Sequence, residues 1–268
     1  LSAALPAALP AVLLPALLFL PSCDSPTSPS HQIQRPPETG DGWETASLES
    51  MSMDPGPLRD LLRTLNRTPD HRIHSLLIVR GETLVFEEYW PGTDLAPANL
   101  EPVARDFGPN KRHYVASVSK SITSALAGIA WDQGLFSGTD ELLFSHFPEH
   151  GELATGAKGE ITLHHLLTFS SGLEWNEFVY GFDDPRDSHN QMFASDDPIR
   201  YLLERPLETL PGAVFHYNSG DTNLLGEVVR RAAGAPTLID FAQERLFGPL
   251  GIHDFQWLRF GSSPWMAF

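Results

Sequence analysis

Cysteine is nearly absent: Cys23 is the only one in 268 residues, so no disulfide framework holds this chain together. Positive charge is scarce too. Eighteen Lys and Arg stand against 34 Asp and Glu, a formal net charge of −16, and a surface of that sign repels phosphate backbones, which excludes nucleic-acid binding through a basic footprint. The signatures of several other chemistries are missing. There is no Gly-x-Ser-x-Gly elbow, and GELATGAKGE comes near a P-loop only until Ala157 separates Gly156 from Lys158 with no hydroxyl following. His164 and His165 are helix neighbours that point apart and lack an HExxH frame, so they read as structural or solvated, and neither a metal nor another cofactor is expected. Charged residues still make up 19% and hydrophobic ones 41%, which rules out a disordered acidic chain and supplies one large core or two modest ones.

What is present begins with LSAALPAALPAVLLPALLFLPS, 22 residues without a charge. Pro6, Pro10 and Pro15 argue against a membrane-spanning helix, and the stretch resembles the apolar region of a secretory signal. Its junction LPSC resembles the lipobox of bacterial lipoproteins, with Leu20 first, the small Ser22 before the cut and Cys23 as lipid acceptor, although Pro21 departs from the common pattern. The expectation is a signal peptide over 1–22 and a mature protein held by lipid at Cys23 on the periplasmic or extracellular face of a bacterial membrane. The chain opens on Leu1 without a basic stretch, so its start is expected to be missing. Residues 23–55, rich in Pro, Ser, Thr and acids, read as a disordered tether.

Residues 56–268 carry the periodic signals. DPGPLRDLLRTLNRT predicts a short amphipathic helix with Leu58, Leu61, Leu62 and Leu65 on one face, and IHSLLIVRGETLVFEEYW predicts a hairpin turning at Arg80-Gly81. After a polar loop, HYVASVSKSITSALAGIA predicts a helix with Gly134 placed to cap its end. ITLHHLLTFSSGLEW predicts an apolar helix ending around Ser171-Gly172, the polar stretch 176–198 a long loop near a site, and DTNLLGEVVRRAAG and TLIDFAQERLFGPLG two further helices.

Ser117 and Lys120 stand three residues apart at the mouth of the HYVASVSK helix, which brings an amine over a hydroxyl. A serine hydroxyl is a weak nucleophile and must pass its proton to something as it attacks; a lysine can take it only when partly neutral, a state that burial and a helix N-terminus both favour. A serine N-cap followed by a surface lysine has the same spelling, so the pair alone does not decide. Its company is PGAVFHYNSGDTNLLGEVV, about a hundred residues on, where Tyr217 lies on a turn before a helix. A phenol held near a lysine can shuttle a proton between nucleophile and leaving group.

With SLLIVRGETLVFEEYW, VASVSKSITSALAGIAWDQGLF and ITLHHLLTFSSGLEW preceding that segment in order, residues 57 to about 258 resemble the serine β-lactamase and penicillin-binding protein superfamily. Within it they resemble the class C β-lactamase-related esterases and 6-aminohexanoate-dimer hydrolases. The resemblance implies an α+β fold of the β-lactamase/transpeptidase type, a helical subdomain with the Ser117 helix packed on an antiparallel sheet begun by residues 73–90. It implies an acyl-Ser117 intermediate formed with help from Lys120 and Tyr217, without a cofactor, from a small ester, amide or peptide-like substrate. Whether Lys120 or Tyr217 takes the first proton stays open.

Ser219 fills the third position of the tyrosine motif, a substrate-binding position where β-lactamases have Asn. This favours an esterase or amidase over a β-lactamase or D,D-peptidase acting on peptidoglycan-type substrates. A non-catalytic penicillin- or peptidoglycan-binding lipoprotein and a solute-binding lipoprotein are competing readings; neither needs all of Ser117, Lys120 and Tyr217. The resemblance also implies a later strand bearing Lys-Thr-Gly or His-x-Gly, which supplies a second oxyanion donor. None follows Tyr217, so the domain is expected to be C-terminally incomplete and inactive by itself.

Overall fold

A computed structural model describes residues 33–96, 101–180 and 184–257. The apolar segment 1–22, Cys23 with its expected lipid and the first part of the expected tether lie outside the described residues. The described residues fall into two compact units divided between Trp90 and Pro91.

In the first unit, β1 (Glu44–Thr45) is followed by α1 (Gly56–Arg67), β2 (Ser75–Arg80) and β3 (Thr83–Tyr89). The hairpin of β2 and β3 forms as expected, but its turn lies one residue later than Arg80-Gly81, because Arg80 still pairs with Thr83. Gly81 and Glu82 both take positive φ, +53° and +63°, as a two-residue primed turn requires to match the strand twist. The strand order is β1-β3-β2, and β1 runs parallel to β3, so the sheet is not wholly antiparallel. Leu58 and Leu62 of α1 pack with Leu48, Val85 and Phe86, while Leu61, expected on the same face, is exposed. The tether is corrected here. From Glu44 onward the chain is folded: β1 pairs with β3, Leu48 is 2% exposed, and Met51 and Met53 lie against the same core. One buried and two partly buried apolar residues scattered among Ser, Thr and Glu make no recognisable period.

In the second unit, β4 (Gly92–Leu95) and β5 (Pro102–Arg105) form a small antiparallel ribbon. A 3-10 turn, Ala116–Val118, runs directly into α2 (Ser119–Asp132), and Gly134 closes that helix at φ +70°. The next helix, α3 (Leu163–Leu167), has a capping box between Thr162 and His165 but ends at Thr168, short of the expected Ser171-Gly172. The stretch expected as loop holds α4 (Ser188–Ala194), capped by Asp187, and the start of α5 (Pro198–Glu204), capped by Asp197. Then come α6 (Ser219–Ala232) and α7 (Leu238–Ala242), the latter continuing into one π-helical turn, Gln243–Phe247.

Helix α6 is buried continuously from Ser219 to Val229 and forms the centre of this unit. Its Leu224, Leu225, Val228 and Val229 share one core with Leu126, Ala127 and Ala130 of α2 and with Trp175. Glu227, fully buried on α6, is neutralised by Arg230 at 2.7 Å and Arg231 at 2.5 Å. The consequence is positional: α2 and α6 are fixed against each other, and each carries part of the site at its N-terminal end.

Candidate active site

The serine is set by a backbone reversal. Ala116 has φ +44°, a conformation that costs an L-residue of order 1–3 kcal/mol and needs support from its surroundings. The following 3-10 turn presents Ser117 to solvent, and Lys120, in the first turn of α2, sits inward of it at 9% exposure. Lys120 Nζ donates to Ser117 Oγ at 3.0 Å. The Tyr217 hydroxyl, a hundred residues later, donates to the same oxygen at 2.7 Å, and Lys120 Nζ lies 5.1 Å from the centroid of the Tyr217 ring. The three residues singled out from sequence thus meet at one atom.

Tyr217 is carried by residues 214–218, which have no regular structure, so other segments must fix it. The His216 N–H donates to the Phe169 carbonyl at 2.7 Å, and the Gly212 N–H to the Ser170 carbonyl at 2.8 Å. The Gly172 carbonyl accepts the Glu208 N–H at 2.9 Å. Gly172 can be nothing but glycine: at φ +76° its added Cβ would stand 2.2 Å from the Thr209 carbonyl oxygen. The rings of Phe169 and Phe178 flank the Tyr217 ring at 5.2 and 5.8 Å, and both residues have positive φ, +51° and +70°. With Ala116, that makes three strained residues around one phenol and one hydroxyl, a concentration expected of a functional site. Past Tyr217, Asn218 starts α6 by accepting the Asp221 N–H at 3.2 Å.

Ser219 is corrected. Expected to face substrate, it is 1% exposed, and its hydroxyl donates to Glu177 Oε1 at 2.8 Å because the first turn of α6 points it inward. Its N–H donates to Glu177 Oε2 at 3.1 Å, and the Trp175 indole donates to that oxygen at 2.7 Å. Sequence reading passed over Glu177, which lies in a stretch without periodicity. His189 of α4 shares the neighbourhood: burial lowers its pKa, Glu177 and Asp187 raise it, and Lys120 lowers it. Asp221 is buried without a hydrogen bond to either carboxyl oxygen, and burial pushes its pKa up to about 8 although the Ser171 hydroxyl and backbone, close by, pull it down. His165 accepts the Thr162 N–H through Nδ1, a structural role. Among the described residues no group of three or more His, Cys, Asp or Glu is placed to hold a metal.

Chemically, Ser117 Oγ has two proton carriers in contact, one able to accept the proton lost on attack and the other able to protonate a leaving group. Exposed apolar residues neighbour them, Val115 and Val118 next to Ser117 in the chain, Phe178 with its ring on Tyr217 and Phe215 with its ring on Phe169.

The chain is similar to several known proteins. The esterase EstB of Burkholderia gladioli is 36% identical over 110 residues, covering 38% of this chain and 27% of that protein. The lovastatin esterase of Penicillium rubens is 33% identical over 162 residues, 53% of this chain and 39% of its own. A class C β-lactamase from Rhodobacter sphaeroides superposes with a TM-score of 0.51 at 20% identity, over 74% of this chain and 49% of that one, a likeness of fold. The chain therefore spans about half the length of that structure and less than half of either curated relative. The family model described as Beta-lactamase matches residues 58–261. Helices around a serine-lysine-tyrosine contact, a small sheet and a family match over most of the chain lead to one assignment: the chain belongs to the beta-lactamase family, with the β-lactamase/transpeptidase-like α+β fold.

Proposed function

We propose that the protein is a serine hydrolase that cleaves an ester or amide through an acyl-Ser117 intermediate. The observation that carries this reading is the convergence of Lys120 Nζ and Tyr217 OH on Ser117 Oγ. Ser117 Oγ attacks the carbonyl carbon and its proton passes to whichever of Lys120 and Tyr217 is deprotonated. The tetrahedral intermediate collapses as a proton returns to the departing alcohol or amine. Water, deprotonated by the same pair, then attacks the acyl carbon and releases the acid, which restores the Ser117 hydroxyl.

The esterase relatives and the exposed apolar residues Val115, Val118, Phe178 and Phe215 near Ser117 and Tyr217 support an uncharged ester or a linear amide as substrate. The test is a panel of p-nitrophenyl esters, linear amides and nitrocefin, with Ser117→Ala as control. Ester turnover that is lost in the variant supports the reading; nitrocefin as the best substrate by kcat/KM would instead assign a β-lactamase.

Attachment to a bacterial membrane through lipid at Cys23 is part of the same proposal, resting on the LPSC junction. Expressed in a bacterial host, the protein should fractionate with membranes and Cys23→Ser should release it. A wild-type protein found wholly in the soluble fraction sinks this part.

A further inference from the structure

Tyr217 has to hold its hydroxyl on Ser117 from a segment without helix or strand, and ring contacts with Phe169 and Phe178 restrain its plane better than its reach. One side chain ties down the surroundings. Glu177 accepts three hydrogen bonds, from the Ser219 hydroxyl at 2.8 Å, the Ser219 N–H at 3.1 Å and the Trp175 indole at 2.7 Å. Trp175 is 1% exposed and anchored in the main core, so the carboxylate is held at a fixed point. Ser219 lies two residues beyond Tyr217, and Phe178, the residue after Glu177, places its ring on Tyr217. A single carboxylate therefore joins the first turn of α6, which sets the Tyr217 backbone, to the loop that packs on the Tyr217 ring. Bonds to an ionised acceptor are the stronger kind, and the N-terminus of α6 favours a negative charge there.

We propose that Glu177 is a positioning residue for the reaction, fixing the Tyr217 hydroxyl over Ser117 through Ser219 and Phe178 without itself reaching the reacting atoms. Ser219 is the other half of the device, its hydroxyl serving Glu177 in place of the substrate. Glutamine is the conservative replacement: its carbonyl can accept from Trp175 and the Ser219 N–H while its amide donates to the Ser219 hydroxyl, whose own proton turns away.

The inference rests on the hydrolase reading for its kinetic arm only. In the full chain, Glu177→Ala should lower kcat for a p-nitrophenyl ester about tenfold to a hundredfold, the scale of an ångström-sized misplacement, with KM within about twofold. Glu177→Gln should stay within about threefold of wild type. Ser219→Ala should be intermediate, and the double alanine variant no worse than Glu177→Ala, since both remove one linkage. The second arm needs no turnover. With 3-fluorotyrosine incorporated and the residue 217 resonance assigned by Tyr217→Phe, wild type and Glu177→Gln should give one sharp fluorine line that broadens or splits in Glu177→Ala.

A folded Glu177→Ala with unchanged kcat and an unchanged fluorine line overturns the proposal. So does Glu177→Gln as impaired as Glu177→Ala, which would make charge, not placement, the contribution. If Glu177→Ala does not fold, Ser219→Ala and Glu177→Gln carry both arms. If wild type cleaves nothing in the panel while the fluorine pattern is as expected, the hydrolase reading fails and the positioning of Tyr217 stands.

Discussion

Ser117 Oγ accepts from both Lys120 and Tyr217, so removing any of the three should break the proposed proton path at a different point. Ser117→Ala should abolish ester turnover and fluorophosphonate labelling with the fold intact, since it deletes one exposed oxygen; labelling at wild-type level would remove Ser117 as nucleophile. Lys120→Ala and Tyr217→Phe should each cost about a hundredfold or more in kcat. These three residues were legible because Ser-x-x-Lys is spelled out on a single helix and Tyr217 sits before a helix with a clear apolar period. Ser219 and Glu177 were not. Which way residue 219 faces depends on how α6 is rotated into the core, and Glu177 gains its meaning from a partner 42 residues away.

Asp221 gives a pH prediction at the same scale. Its folded pKa is raised from 3.8 to about 8, so the folded protein holds the proton more tightly than the unfolded chain. The stability linked to that proton is complete below pH 3.8 and is lost as pH climbs to about 8. Asp221→Asn keeps the shape and cannot ionise. It should flatten the fall in melting temperature across that window and add at least about 1 kcal/mol at its alkaline end, the scale of a buried unsatisfied group. Parallel pH profiles for the two proteins would show that Asp221 stays uncharged or solvated throughout.

Among the elements, the turn at Gly172 is the most sensitive to change, because its carbonyl ties residues 208 and 209, on the way to Tyr217, to the end of the α3 segment. Gly172→Ala meets both a positive φ and a backbone oxygen, so it should destabilise by more than about 2 kcal/mol in chemical denaturation. Activity should fall further than the unfolded fraction explains. A variant of wild-type stability would mean that the turn relaxes freely. The β2–β3 hairpin, α1, α2 and α6 could be read from period and turn chemistry: α1 and α2 bury one regular face, and α6, though buried along most of its length, keeps its apolar spacing. Helix α4 escaped because its cap, Asp187, and most of the short helix behind it are polar, so residues 176–198 read as loop, and α5, which buries Ile199, Leu202 and Leu203, is only seven residues long and too short to show a period. Helix α3 was overextended because apolar residues continue past Thr168, where Phe169 takes a left-handed backbone to reach the Tyr217 ring. Local sequence carried no sign of that contact.

The whole molecule is acidic, with a formal charge of −16, and a substrate approaching Ser117 feels that field beyond any single contact. Esters bearing a carboxylate should show kcat/KM values that rise severalfold between about 10 and 150 mM salt, where the screening length shortens from about 30 to 8 Å. Neutral esters of the same acyl group should be nearly insensitive. Equal salt dependence for both would mean that the charges lie away from the approach to the site.

The site joins two very different distances along the chain. Ser117 and Lys120 are three residues apart and come together when α2 forms, whereas the Tyr217 bond closes a loop of a hundred residues and requires α6 to dock on α2. Local contacts form early and distant ones late. In a refolding experiment, the helical signal of circular dichroism should therefore recover before esterase activity, and the interval between them times the arrival of a single phenol.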